Sequence, residues 1–473
     1  MLSLQILSLL AASSIVTAAK APQFLFKDVV VVGGGASGSH AALRLREDFG
    51  KSVALIEKQA ILGGHVDTFV DENTGTKYDY GVQNFIDYGN AKEIFQRLGI
   101  QTAAPGRTAT TTTYVDFTTG RELNFTAPDI TLQMAALDKY RVLAEQWEDI
   151  LLPGYFDFPE PANIPSDLLL PFGEFVKKHG IEAAVPFVYK TTGLGVGDVS
   201  TQLTIYVMQA FGAPMARSLL GLQDSIVPAS GRNQDVYDAF ADALGDDVLF
   251  SSTIIDSKRT DYGVFVVVKN NKTGDITLIT ARALLVAIEP TAGNTEPLDL
   301  DETESAVFSK FDYTRIYAGI VASSSLPVGF SLFNLPAAAE PDNLLAYPSR
   351  PFTARFDYLG ADKFFRVMVI GDEDSTSCKA MELAQRDYRT LIEAGQAAPG
   401  DGNLGWVAFE DHGAMHLRVS ADDLKAGFVQ DQYALQGRRA TWYTGAAFSV
   451  QFQTHLWGYN DILLPKLVAS LES

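Results

Sequence analysis

Two kinds of hydrophobic pattern alternate along this chain. Residues 28–32 (DVVVV) carry an unbroken valine run, the mark of a strand buried on both faces. A helix is expected over 36–47 and a second buried strand over 53–56, ending at Glu57. Further on, helical patterns cover 91–98, 129–151, 172–179 and 234–244, with Gly99 and Gly180 as stops. Thr-rich alternation over 105–126 and apolar runs over 248–255, 264–268 and 284–288 predict strands. The same logic gives strands at 317–321 and 366–370 and a helix at 379–392. Near the end, Thr444 and Gly445 precede an expected helix of about twelve residues containing Phe448, Phe452 and Leu456. The Pro- and aromatic-rich stretch 153–173 reads as a surface-hugging loop, with a lid as the alternative.

The first strand–turn–helix carries chemistry. Gly33, Gly35 and Gly38 form G-x-G-x-x-G, with Ser37 inside it. Gly33 permits the tight turn, Gly35 lets backbone approach a diphosphate, and Gly38 lets the helix pack on the strand. The helix N-terminus offers free N–H groups to phosphate. Glu57 lies 19 residues after Gly38, near the spacing of a carboxylate that accepts from ribose hydroxyls, which disfavours a 2′-phosphate. The motif alone is weak; in its strand–helix–strand–acid context it predicts dinucleotide binding. Gly193, Gly195 and Gly197 lack this spacing, so no second, nicotinamide-binding unit is visible.

Beyond Glu57-Lys58 come Gly63-Gly64-His65 and then 79–85, DYGVQNF. Together with the T-G-A-A turn at Thr444, Gly445 and Ala446, these stretches resemble the flavoprotein amine oxidase superfamily. His65 stands where most amine oxidases have arginine, and this makes the chain look like the fungal β-cyclopiazonate dehydrogenase group. The resemblance implies an α/β fold: a Rossmann-type FAD-binding domain (28–90, 228–295 and 405–473) interleaved with an α+β substrate domain (91–227 and 296–404). It implies FAD as cofactor, with Lys58, the Gly-Gly pair, Asn84, Ile254 near the adenine, and Thr444 to Ala446 in contact with it. It also raises a covalent bond from His65 to the flavin 8α-methyl carbon, the alternative being a noncovalent contact. No catalytic acid or base declares itself; His416, Tyr443 and Gln83 are the candidates. His412 and His416 are spaced i, i+4, but Gly413 argues against a helix there.

Composition narrows the picture. The chain has 473 residues, 47% of them hydrophobic, and a net charge of −20, which speaks against nucleic acid and anionic membranes. Cys378 is the only cysteine, so an intrachain disulfide and a cysteine-based metal cluster are excluded; no metal is expected. Residues 1–19 read as a signal peptide, and Asn124 and Asn271 begin glycosylation sequons, so a secreted or secretory-lumen protein is expected. No later stretch is apolar enough to span a bilayer. The function expected is an FAD-dependent oxidoreductase that takes a hydride from a hydrophobic metabolite, with dioxygen as acceptor and possible ring closure. The alternatives are a redox-neutral flavin isomerase and a flavin-binding protein without turnover.

Overall fold

The computed structural model describes residues 21–472 except positions 107 and 362. The expected signal peptide lies outside the described residues. The valine run is the inner part of β1 (Gln23–Val32), which pairs in parallel with β2 (Val53–Ile56) on one side and with Ile276–Val286 on the other. Val29, Val30 and Val31 are wholly buried because α1 (Ala36–Glu47) covers this sheet. Fully burying such a side chain is worth about 1.5–3 kcal/mol, so the run makes this the sheet's centre. The seven-stranded sheet is completed by Val248–Leu249, the antiparallel strands Gly263–Asn270 and Ser252–Thr260, and Thr441–Tyr443. The expected strand at 248–255 is thus two strands, with a tight turn at Ser251 between them.

A second seven-stranded sheet runs in the order Gly405–Arg418, Asp312–Ala322, Phe364–Gly371, Phe352–Gly360, Phe330–Asn334, Thr111–Asp116, Arg121–Glu122. One face is apolar: Tyr317, Val321, Phe356, Val367 and Val369 pack on the helix Ser377–Glu393 through Ala380, Ala384, Tyr388 and Leu391. The other face looks toward the first sheet. Residues 405–418, assigned from sequence to the FAD domain, belong to this second sheet, because they pair with Asp312–Ala322 along most of their length. The helices at Phe172–His179 and Gln234–Leu244 stand at the expected positions. The stretch 153–171 is loop with short 3-10 turns, and the helix begins at Phe172.

The C-terminal expectation needs correction. After Gly445 the chain makes only a 3-10 turn, Ala446–Phe448. Ser449 is then held non-helical (φ −145°, ψ −127°), with its carbonyl accepting from Gln209 Nε2 at 3.1 Å. The long helix starts at Gln453 and runs to Glu472. It packs on α1, where Asn460 Nδ2 donates to the Ser37 carbonyl at 2.8 Å. Among the described residues no helix is long and apolar enough to cross a membrane.

Candidate active site

A cavity of about 970 Å³ runs from the glycine-rich turn to the open face of the second sheet. At the turn, backbone geometry follows from the absence of side chains. A Cβ on Gly38 would collide with the Gly33 carbonyl oxygen, so only glycine lets α1 close on the strand. Gly35 and Gly64 approach so nearly that a Cβ on Gly64 would lie 3.0 Å from Gly35 Cα. Gly63 N–H donates to the Gly34 carbonyl at 3.0 Å, tying the Gly-Gly pair to the first turn. Glu57 accepts from Gly34 N at 2.6 Å and from Gln59 N at 2.7 Å, which fixes the carboxylate at the end of β2. Ser37 Oγ is buried on the cavity wall with no hydrogen-bond partner. An orphaned hydroxyl at a helix N-terminus, beside a cradle that any Cβ would fill, fits the diphosphate of a dinucleotide.

The residues expected from sequence separate into two groups. Gly33, Gly35, Ser37, Glu57, Lys58, Gly63, Gly64, His65, Gln83 and Asn84 all line this cavity, as do His416, Gly445 and Ala446. Gly38 lies behind the turn, where it acts on packing. Ile254, Tyr443 and Thr444 are elsewhere. Ile254 is buried in the antiparallel part of the first sheet. Tyr443 turns its hydroxyl away from the cavity to donate to Glu304 Oε1 at 2.6 Å, within the buried Arg259–Glu304 ion pair. That geometry is structural and removes Tyr443 from the catalytic candidates. Thr444 Oγ1 donates to Asn460 Oδ1 at 2.7 Å, so it steadies the C-terminal helix against α1. Gln83 reaches the cavity, but its amide donates to the Asp79 carbonyl at 2.6 Å.

Two histidines come from the strand Gly405–Arg418 through bulges. Ile316 faces both His412 and Gly413, since Arg315 pairs with Ala414 and Tyr317 with Asp411. Gly413 takes the left-handed conformation (φ +70°) that such a bulge needs. A second irregularity, between Met415 and Arg418, leaves His416 left-handed (φ +52°). Bulges re-aim side chains, and both imidazoles reach the cavity. His416 packs so closely on Gly195 that a side chain there would collide with its ring. Burial, with Arg418 nearby, pushes the His416 imidazole down to about 3.

His412 is the better-placed group, and its partner was not visible in the sequence. Its Nε2 lies 2.7 Å from Asp67 Oδ2, and both side chains are almost entirely buried. The segment 65–67 is held by antiparallel backbone bonds to 80–82, Tyr80 N to the Asp67 carbonyl and Val82 N to the His65 carbonyl, each at 3.0 Å. The His65 ring sits 4.9 Å from that of His412. Burial, then the neighbouring His412, pushes the His65 imidazole down to about 3, so it is neutral at ordinary pH. Glu289 was also missed. It lines the same cavity as Gly445, its Oε2 has no hydrogen-bond partner, and burial pushes its carboxyl up to about 8. Among the described residues no group of side chains could hold a metal ion.

Comparison with known proteins agrees with this frame. Residues 31–98 match the model of an NAD(P)-binding Rossmann-like domain. FAD-dependent oxidoreductase pigF of Monascus ruber is 33% identical, over 99% of this chain and 100% of its own. Beta-cyclopiazonate dehydrogenase of Aspergillus oryzae is 31% identical, over 94% of this chain and 93% of its own. Among solved structures, a CLA-producing fatty acid isomerase from P. acnes superposes with a TM-score of 0.69 at 19% identity, covering 93% of this chain and 98% of that one. Cyclohexylamine oxidase from Brevibacterium oxydans gives 0.59 at 18%, covering 94% and 100%. The fold is therefore that of the amine-oxidase-type flavoproteins, the cofactor is FAD, and the chain belongs to the fungal FAD-dependent oxidoreductases that include beta-cyclopiazonate dehydrogenase.

Proposed function

We propose that this enzyme oxidises a hydrophobic small molecule of secondary metabolism, with dioxygen as the final electron acceptor. The observation that carries this reading is the His412–Asp67 pair in the same cavity as the glycine cradle. FAD, when bound, supplies the hydride-accepting centre at its N5. The chain supplies the rest. The Gly33–Gly38 turn and the α1 N-terminus hold the diphosphate. Leu194, Met215, Leu219, Ile316 and Met368 give the cavity an apolar lining that takes up a hydrophobic substrate and excludes water. Because the Asp67 carboxylate can only accept, His412 Nε2 carries the hydrogen and Nδ1 keeps its lone pair. His412 is then the base that takes a proton from the substrate O–H or N–H while the adjacent C–H is lost as hydride. The carbon left behind is electrophilic, and an internal nucleophile of the substrate can close a ring on it.

Anaerobic mixing with substrate tests this reading. The flavin should bleach and oxygen should restore it, with one hydrogen peroxide formed per product. Turnover without peroxide would favour the second reading, a redox-neutral isomerase, whose supporting observation is the shared fold with a fatty acid isomerase.

His65 is the residue we assign to the flavin 8α position. A neutral imidazole on the cavity wall, packed 4.9 Å from the His412 ring, has the lone pair that such a bond needs. After acid precipitation the yellow colour should stay with the protein; flavin in the supernatant would rule the bond out. The secretory route is also our assignment. Asn124 and Asn271 are both exposed, as acceptor sites must be. Endoglycosidase treatment of the protein from its own host should raise its mobility on a gel.

A further inference from the structure

Part of the cavity wall is the open face of the second sheet. The opposite face packs on Ser377–Glu393 largely through apolar side chains. The open face instead carries Arg355, Arg366 and Met368 toward the cavity. Both arginines are deeply buried, at 6% and 9% exposure. They share one carboxylate: Arg355 Nε lies 3.0 Å and Arg366 Nη2 2.7 Å from the same Asp357 Oδ2. The rest of the Arg355 fork is poorly served, with Nη1 on the Lys190 carbonyl at 2.9 Å and Nη2 on the Met368 thioether at 3.1 Å. Lys190 adds a third positive charge close to Asp357.

Asp357 is the carboxylate whose charge acts on Arg355 and Lys190; the other carboxylates that line the cavity, Glu57, Asp224, Glu289 and Asp411, have other surroundings. Asp411 accepts from Gly413 N at 2.8 Å and Ser377 Oγ at 3.2 Å. Asp224 pairs with Lys92 at 3.1 Å. Glu57 is committed to Gly34 and Gln59. Three cations therefore surround one anion among the described residues. Burying an uncompensated guanidinium is costly, and apolar residues of similar volume would pack a sheet face at least as well. A second arginine here needs a function.

We propose that Arg355 and Arg366 form an anion subsite that takes a planar oxyanion of carboxylate type on the substrate. The guanidinium fork matches such a group with two parallel hydrogen bonds. The subsite would anchor the polar end of an otherwise hydrophobic substrate and leave the reacting carbon toward His412. It rests on the reading of this cavity as the substrate site.

Calorimetric titration of the FAD-loaded protein with decanoate and with decanamide tests the assignment. The two share a chain and differ in charge. Decanoate should bind about tenfold tighter or better, and the preference should shrink as salt rises. Arg366→Gln should erase the preference and leave decanamide affinity and flavin content unchanged. If that variant does not accumulate, Arg366→Lys decides: it keeps the charge but loses the fork, so decanoate alone should weaken. Equal affinities in the wild type, no decanoate binding, or a preference that survives in the variant would overturn the subsite. Flavin reduction by substrate, measured on the same samples, separates that outcome from failure of the oxidoreductase reading.

Discussion

His412 and Asp67 meet at 2.7 Å across 345 residues of chain, one from a bulged strand of the second sheet and one from the loop after the Gly-Gly pair. This bond joins the second sheet to the segment that follows the glycine cradle.

The pair yields the first prediction. His412→Ala should slow anaerobic flavin reduction by about 10²-fold, the usual scale for a lost general base. Asp67→Asn should slow it less and shift the pH profile of the reduction rate, because an amide can present either donor or acceptor to Nε2. Flavin content should stay normal in both. A reduction rate unchanged in His412→Ala would remove the residue from the chemistry.

The glycine turn separates two effects that a motif search treats as one. Gly38→Ala drives a Cβ into the Gly33 carbonyl oxygen, backbone against backbone, and should cost about 3 kcal/mol or more of fold stability. At Gly35 an added Cβ meets nothing nearer than Gly64 Cα at 3.6 Å. Gly35→Val should therefore fold, yet lose FAD, since the added methyls occupy the diphosphate's approach. Thermal melting of the flavin-free proteins and flavin content after purification distinguish the two. A Gly35→Val protein with full flavin would contradict the cradle.

Buried histidines set the acid stability. His40, His416 and His455 are each pushed down to about 3, chiefly by burial. Unfolded, they would titrate near about 6.5. Between these values the unfolded chain binds protons that the native one does not. Stability is thus full above about pH 6.5 and falls toward pH 3, by about 1.4 kcal/mol per pH unit for each histidine. His455 stacks on Tyr88 at 3.8 Å and neither ring nitrogen has a partner, so a phenylalanine can replace it. His455→Phe should make the fall in Tm between pH 7 and pH 4 shallower. An identical slope would mean that His455 takes up no proton on unfolding.

The legible parts of this protein are those whose physics is local. The 28–57 unit could be read because strand, turn, helix and acid lie within one short stretch, and each glycine answers to a neighbour. The helix 172–179 was legible because Gly180 ends it in the left-handed conformation. What failed depends on distant partners. Tyr443 looks like a flavin-side residue until Glu304 and Arg259 draw its hydroxyl into a buried ion pair. The helix expected after Gly445 is delayed because Gln209 and Pro153 bind the Ser449 backbone carbonyl and hydroxyl. Gly413 was rightly read as unsuited to a helix, but its bulge, and so the facing of His412, depends on the register with Ile316.

In the function we propose, this cavity passes electrons from a hydrophobic small molecule, through FAD, to dioxygen. Anaerobic stopped-flow absorbance of the purified yellow protein tests it most directly, with NADPH and a panel of hydrophobic aromatic and terpenoid carboxylic acids as reductants. NADPH should leave the flavin oxidised, a member of the panel should bleach it, and admitted oxygen should restore the colour with peroxide. Rapid bleaching by NADPH, with none by the panel, would contradict it.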